Sequence, residues 1–198
     1  MAEKPCFYLF GHSFPARLAR AAHSRRQPAA NFIGVGTHCD LVIEGHPGLT
    51  FSRIFDNLPH YMSKMCAMTR IDVLCIDIGT NDLCEPANTP EQVVQKMFKF
   101  LESLEENRIH PRCIVVLSVL QRSKISRSGQ ISVSTFNHRV RRFNAQLGRA
   151  LARTRPETHM YAQSRINLPK YFVDGCHLTP AGMKKYQRQI KHIVERFC

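Results

Sequence analysis

The segment 173–186, VDGCHLTPAGMKKY, places an acid and a histidine three residues apart, directly before a predicted helix. A carboxylate such as that of Asp174, when it holds a nearby imidazole, makes a histidine such as His177 a better general base. A base of this kind can take the proton of a nucleophilic hydroxyl. The spacing therefore predicts acid–base chemistry in this segment, with the nucleophile supplied by another part of the chain.

A hydroxyl, a glycine and a carboxamide follow three earlier apolar runs. Ser13 stands in GHS, Gly48 in GHPGLT and Asn81 in GTND. A serine hydroxyl can act as a nucleophile. A glycine N–H and a carboxamide can donate hydrogen bonds to the oxyanion that forms during acyl transfer. Together with Asp174 and His177, these residues predict an acyl-transfer site.

Each of these residues also has an ordinary structural explanation. Ser13 could cap a helix, Gly48 and Asn81 could belong to turns, and Asp174 with Gly175 is a common turn dipeptide. A single histidine is more often structural than catalytic. The catalytic interpretation is favoured because these residues occur together: each one follows a predicted strand or precedes a predicted helix, at the same edge of the predicted sheet.

Short apolar runs alternate with longer helical patterns, which is typical of β-α units on a parallel sheet. The predicted strands are Cys6 to Phe10, Cys39 to Gly45, Ile71 to Gly79, Cys113 to Leu120 and His159 to Gln163. The predicted helices are Phe14 to Ala22, Phe51 to Met65, Pro90 to Asn107, Thr135 to Arg153 and Pro180 to Phe197. Thr89 and Thr179 are expected to be N-caps, and a polar loop is expected from Gln121 to Ser134.

The carboxyl ends of parallel strands meet at one edge of an open α/β sheet, and ligands bind there. Ser13, Gly48 and Asn81 come directly after the first three predicted strands, and Asp174 and His177 lie beyond the fifth. We therefore expect four separate segments to meet at one edge of the sheet.

The four blocks resemble those of the SGNH (GDSL-type) hydrolases, in the same order and across nearly the whole chain. The resemblance implies a three-layer α/β/α fold with a five-stranded parallel sheet of order 2-1-3-4-5. It also implies a serine esterase in which Ser13, His177 and Asp174 form the catalytic triad. Gly48, Asn81 and the Ser13 amide would form the oxyanion hole. GTND and DGCHLTPAG match closely, whereas GHS has His12 where the family usually has Asp.

A narrower resemblance links the sequence to the SGNH-like esterase domain that some LINE-type retrotransposons encode in their first open reading frame. Under either resemblance, the expected substrate is a small-molecule or lipid ester, with an acetyl or a longer acyl group. No cofactor is expected. Zinc sites usually pair Cys-x-x-Cys or His-x-x-x-His motifs, and no matched pairs of this kind occur, so no metal is expected either.

The length and the charge of the chain limit the number of domains and the kinds of binding partner. The chain has 198 residues, of which 43% are hydrophobic, so a single domain over residues 1–198 is expected. Its formal net charge is +13, which predicts attraction to polyanions. On the helix predicted from Thr135, one face carries four arginines: Arg139, Arg142, Arg149 and Arg153. The alternative function is therefore a binding module of the same fold that contacts nucleic acid or an anionic membrane through this face.

The pattern of cysteines indicates the cellular compartment in which the protein is expected. The eight cysteines are scattered, and several lie in apolar runs, where a thiol packs like a small hydrophobic group. We interpret them as reduced thiols of an intracellular, cytoplasmic protein. No run approaches the roughly 20 apolar residues of a membrane span, so the protein is expected to be soluble or peripheral.

Overall fold

Five parallel strands form one sheet, in the order β2-β1-β3-β4-β5. The computed structural model describes residues 3–36, 38–124, 131–163, 166 and 169–198. The strands are β1 (Cys6–Gly11), β2 (Asp40–Gly45), β3 (Val73–Asp77), β4 (Cys113–Leu117) and β5 (Thr158–Tyr161). The predicted fold class and strand order are confirmed, and the predicted strand bounds differ from these by at most a few residues.

Successive residues of the central strands point to opposite faces of the sheet, and both faces are covered. Tyr8 and Phe10 enter one apolar core, whereas Phe7 and Leu9 enter the other. Such two-sided burial explains why these strands are nearly continuous apolar runs in the sequence.

Helices form the two outer layers. They are α1 (Ser13–Ser24), α2 (Ala29–Ile33), α3 (Phe51–Asp56), α4 (Leu58–Cys66), α5 (Pro90–Glu106), α6 (Val133–Thr154) and α7 (Pro180–Phe197). The first two and α7 share one core, and the other four share the second. Thr89 and Thr179 accept hydrogen bonds from Gln92 N and Gly182 N, so both predicted N-caps are confirmed.

Two details of the predicted helices are wrong. The single helix expected from Phe51 to Met65 is broken at Asn57, which ends α3 and precedes α4. Pro59 has no N–H to donate inside a helix, and the break places it in the first turn of α4, where none is needed. The short helix α2 was not predicted, because five residues between Pro28 and Gly34 are too few to show a helical period.

The polar loop expected from Gln121 to Ser134 can be compared only in part, because residues 125–130 lie outside the described residues. Its last two residues belong to α6, for which Ser132 is the N-cap. No helix in the described part of the chain combines the length and apolar character that crossing a membrane requires.

Candidate active site

A cleft of about 570 Å³ opens at the carboxyl edge of the sheet. Its lining includes Ser13, Gly48, Asn81 and His177, which come from four separate segments of the chain. Asp174 does not line the cleft but contacts Nδ1 of His177. The structure thus brings the five predicted residues together at the edge where the sequence pattern placed them.

Ser13 is the first residue of α1 and follows β1 after a single residue. The alternative that Ser13 caps this helix is wrong, because His12 is the N-cap and accepts from Phe14 N at 3.4 Å. The Ser13 hydroxyl lies 3.4 Å from Nδ1 of His12. At this position the hydroxyl faces the positive end of the helix dipole, which favours negative charge.

His12, the residue that departs from the family pattern, belongs to a buried hydrogen-bonded network. Its Nε2 lies 3.1 Å from Oδ1 of Asp77, the last residue of β3. Tyr186, on α7, donates its hydroxyl to Oδ2 of the same carboxylate at 2.7 Å. Burial, together with the Asp77 charge, raises the pKa of Tyr186 well above its ordinary value, so the phenol remains a donor. The loop that carries Ser13 is therefore fixed to both β3 and α7.

Asp174 and His177 form a tight local pair. Oδ2 of Asp174 lies 2.6 Å from His177 Nδ1, and Oδ1 accepts from the backbone N–H groups of Cys176 and His177 at 2.9 and 2.7 Å. Partial burial by itself raises the pKa of Asp174. The hydrogen bonds from His177 and Cys176 outweigh this effect and hold the pKa below its ordinary value. With Nδ1 facing the carboxylate, Nε2 of His177 is left for chemistry in the cleft.

The turn between these two residues depends on a glycine. Gly175 has φ +79°, and a Cβ there would lie 2.4 Å from the backbone nitrogen of Lys124. Both facts exclude a larger residue, because other residues avoid this region of φ and the neighbouring backbone leaves no room.

Gly48 and Asn81 also line the cleft and are joined through Leu49. The carboxamide of Asn81 donates to the Leu49 carbonyl at 2.9 Å, and Gly48 has φ +74°. A carboxamide nitrogen carries two hydrogens, so one remains for a ligand. In the described part of the chain, the backbone N–H groups of Ser13 and Gly48 donate to no backbone carbonyl. These three N–H groups are therefore candidate donors to a ligand in the cleft.

Two acids with little solvent exposure, neither of them singled out from the sequence, hold the loop after β2. Asp82 accepts from the Phe51 N–H at 3.1 and 3.3 Å, and burial raises its pKa to about 6. Glu44 accepts from Tyr8 and also from His46 and Lys64, at 2.8 and 2.9 Å. Burial raises the pKa of Glu44, but these hydrogen bonds outweigh it and hold the pKa below its ordinary value.

A further residue that was not predicted, Arg122, lines the cleft after β4. No local pattern marks it, since it is one of two arginines in a polar segment of an arginine-rich chain. Asp77 and Glu44 did have a signal, because an acid inside an apolar strand must find a partner when it is buried. The identity of those partners depends on contacts between distant segments.

The four arginines predicted to bind a polyanion lie on α6, but two of them are engaged within the protein. Arg139 donates to the carbonyls of Leu83, Glu85 and Pro86, at 3.4, 2.8 and 3.1 Å. Arg142 pairs with Glu91 at 2.6 Å. The remaining two, Arg149 and Arg153, are exposed. Binding of a polyanion here stays a prediction.

Comparison with solved structures places this fold among known enzymes. A GDSL-like lipase from Bacteroides thetaiotaomicron superposes with a TM-score of 0.73 at 15% identity, over 96% of this chain and 88% of that one. The M. smegmatis aryl esterase and a carbohydrate acetylesterase from Sinorhizobium meliloti both give a TM-score of 0.70. Their identities are 12% and 16%, and the match covers 98% of this chain and 100% of theirs.

At these identities, the likeness establishes the fold alone. No family model matches the sequence, and no curated protein matches it. None of the three structures is described as a retrotransposon protein, so that narrower resemblance stays a prediction.

Proposed function

We propose that the protein is a serine hydrolase that cleaves carboxylic esters in this cleft. One observation carries the proposal. One cleft is lined by a serine at a helix N-terminus, by a histidine that a carboxylate holds, and by Gly48 and Asn81, which offer further N–H donors; these groups come from four segments of the chain. This is the full set of groups that acyl transfer needs.

In the first half of the reaction, Ser13 Oγ attacks the ester carbonyl carbon while His177 Nε2 takes the serine proton. Asp174 holds the imidazole through Nδ1 and stabilises the positive charge that develops on it. The carbonyl oxygen becomes an oxyanion, which accepts from the Ser13 and Gly48 N–H groups and from Asn81. His177 then gives its proton to the departing alkoxide, and an acyl-serine remains.

In the second half, a water molecule takes the place of the alcohol. His177 removes a proton from the water, and the resulting hydroxide attacks the acyl-serine through the same oxyanion hole. Collapse of this second intermediate returns the proton to Ser13 and releases the carboxylic acid. The same groups thus serve both steps, which fits a single cleft.

The shared fold adds support, because the three structures described above are a lipase and two esterases. The binding-module alternative has less support, since Arg139 and Arg142 are engaged by groups of the protein itself. The proposal covers acetyl and longer acyl esters, and a chain-length series of p-nitrophenyl esters distinguishes between them.

The experiment that tests this function is labelling with a fluorophosphonate, followed by peptide mapping of the modified residue. We expect the label on Ser13, and we expect Ser13→Ala to abolish both labelling and hydrolysis of p-nitrophenyl acetate. Ser24→Ala, at the other end of α1, is the matched control and should keep both. Hydrolysis by Ser13→Ala at more than a few per cent of the wild-type rate would rule out Ser13 as the nucleophile.

A second test addresses the oxyanion hole. Loss of one preorganised donor typically lowers kcat by about 10²- to 10³-fold. Asn81→Ala should therefore lower kcat strongly and change KM less. If only KM changes, Asn81 binds the substrate but does not stabilise the transition state.

A further inference from the structure

The cleft carries more positive than negative charge. Two guanidinium groups, those of Arg53 and Arg122, line it, and Glu85 is the one acidic residue among its described lining residues. Arg53 is exposed and donates to the carbonyls of Pro47 and Gly48, at 3.5 and 3.2 Å. Arg122 is more enclosed than Arg53, because it is half-buried.

Arg122 is held in place along its whole length. Its backbone N–H and carbonyl are both paired with the carboxamide of Asn137, at 2.8 Å each. The guanidinium lies 4.8 Å from the centre of the Phe136 ring. It donates to Thr80 Oγ1 at 3.3 Å and to Cys84 Sγ at 2.9 Å. A cation that is fixed in advance loses little freedom when it binds a ligand.

Arg122 nevertheless has no carboxylate partner in the described part of the chain, which includes every Asp and Glu of the sequence. By contrast, Arg70, Arg142 and Arg155 each pair with an acid. The acceptors of Arg122 are a hydroxyl and a thiol, which do not neutralise its charge. They occupy two of the five guanidinium N–H groups.

We propose that Arg122 recognises an anionic group on the substrate, so that the preferred substrate is an ester carrying a carboxylate or a phosphate near the scissile bond. This inference rests on the proposed esterase function and specifies its substrate class. A guanidinium binds either anion through two parallel N–H donors. Because Arg122 shares the cleft with Ser13 and His177, an anion bound to it lies beside the reacting ester.

The test compares esters that differ in charge but little in size. The first pair is p-acetoxybenzoate against the neutral p-acetoxybenzamide, and p-acetoxyphenyl phosphate is the phosphate member of the same series. The second pair, mono-p-nitrophenyl adipate against its methyl ester, carries the charge on the acyl side. Hydrogen bonds to a charged group predict that kcat/KM for the preferred anionic ester is about 10- to 100-fold higher than for its neutral partner.

Variants connect this preference to Arg122. In Arg122→Gln the ratio of the anionic to the neutral kcat/KM should fall towards one, whereas Arg122→Lys should keep part of it, since the charge remains. Arg188→Gln removes an exposed arginine of α7 that does not line the cleft, and it should leave the ratio unchanged. Circular dichroism checks that each variant is folded.

The outcomes separate the two proposals. If the wild-type protein hydrolyses the neutral esters but prefers no anionic partner, the substrate class is wrong and the esterase function stands. A preference that survives in Arg122→Gln also overturns the role of Arg122. If the Arg122 variants do not fold, the wild-type ratios decide whether the substrate class is correct, and a missing anionic preference overturns it.

If no ester is hydrolysed, the proposed function fails and binding still decides the inference. Calorimetric titration of p-hydroxybenzoate against p-hydroxybenzamide then measures the anion preference directly. Tighter binding of the benzoate supports the anion site, and equal affinities overturn it.

Discussion

Two Asp–His pairs lie beside Ser13, with the same chemical groups and opposite surroundings. In the pair His177–Asp174 the side chains are 34% and 42% exposed, whereas in the pair His12–Asp77 both are 4% exposed. His177 turns Nδ1 to its acid and leaves Nε2 for the cleft. His12 turns Nε2 to its acid, so that its Nδ1 faces Phe14 N and the Ser13 hydroxyl.

This difference shows how surroundings assign different roles to identical groups. A general base must reach the substrate and the leaving group, and His177 can do so because it lines an open cleft. Nδ1 of His12 accepts from the Phe14 N–H, and Asp77 also holds Tyr186. The exposed pair is therefore suited to proton transfer, and the buried pair to holding the serine loop in position.

The largest expected effect is on catalysis by the exposed pair. His177→Gln removes the base and should lower kcat for p-nitrophenyl acetate by about 10⁴- to 10⁶-fold. The melting temperature should change little, because His177 is partly exposed. Steady-state kinetics and thermal unfolding check both statements. If more than a tenth of the activity remains, another base acts on Ser13, and His12 is then the first residue to replace.

Matched substitutions of Asp174 and Asp77 test whether the two acids have different roles. Asp174→Asn should lower kcat by about 10²- to 10⁴-fold, since the asparagine no longer stabilises a protonated His177. Asp77→Asn should instead lower the free energy of unfolding by about 1.5–3 kcal/mol, because the carboxamide offers one acceptor oxygen to two donors, His12 and Tyr186. Kinetics and denaturant unfolding of both variants test the division. A stability loss confined to Asp174→Asn would reverse the assignment.

Asp82 extends the comparison to a buried acid without a histidine. It is as buried as Asp77 but has no histidine partner among the described residues. Its pKa is raised to about 6, so the folded protein keeps the proton that the unfolded chain releases near 3.8. Stability from this group is therefore present at low pH and is lost as the pH rises from about 4 to 6. The loss amounts to about 3 kcal/mol.

The measurement is the difference in unfolding free energy between the wild type and Asp82→Asn as a function of pH. Asparagine can still accept from the Phe51 N–H, and it does not ionise. The wild type should therefore lose stability relative to the variant between pH 4 and 6. A difference that stays constant over this range would show that Asp82 is already ionised in the folded protein at pH 4.

The smallest expected effect comes from Tyr186→Phe. The ring stays in its buried site, and only the hydrogen bond to Asp77 is lost. We expect a loss of about 1.5 kcal/mol, seen as a fall of roughly 3–6 °C in the melting temperature. The change in kcat should be far smaller than for His177→Gln. A kcat loss as large as that of His177→Gln would mean that the buried pair takes part in proton transfer.

The sequence predicts the sheet and the cleft residues Ser13, Gly48, Asn81 and His177 because each has a local signal. β1 and β3 are continuous apolar runs, and Ser13 and Asn81 follow them directly. In the His12–Asp77–Tyr186 network only Asp77 has a local signal, as an acid at the end of an apolar run, and that signal does not identify its partners. Asp77 and Tyr186 are 109 positions apart, and only the packing of α7 against the sheet brings them together.

The arginines are a second case in which the sequence does not reveal contacts between distant segments. Helical spacing places Arg139 and Arg142 on one face of α6, as predicted, but spacing does not reveal what that face contacts. The carbonyls around Leu83 and the carboxylate of Glu91 engage these two residues. Arg122, in a segment without periodicity, reaches the cleft through contacts with Asn137 and Phe136 that are formed in the folded chain.

The order of the site along the chain has a consequence for biosynthesis. A ribosome delivers Ser13, Gly48 and Asn81 before it reaches Asp174 and His177, about 90 residues later. At 5–20 residues per second, this interval lasts roughly 5 to 20 seconds. During that time, the growing chain has the proposed nucleophile and oxyanion donors but lacks the proposed base, the His177–Asp174 pair, and α7 has not yet brought Tyr186 to Asp77. The proposed hydrolase should therefore remain inactive on the ribosome until α7 has emerged and docked.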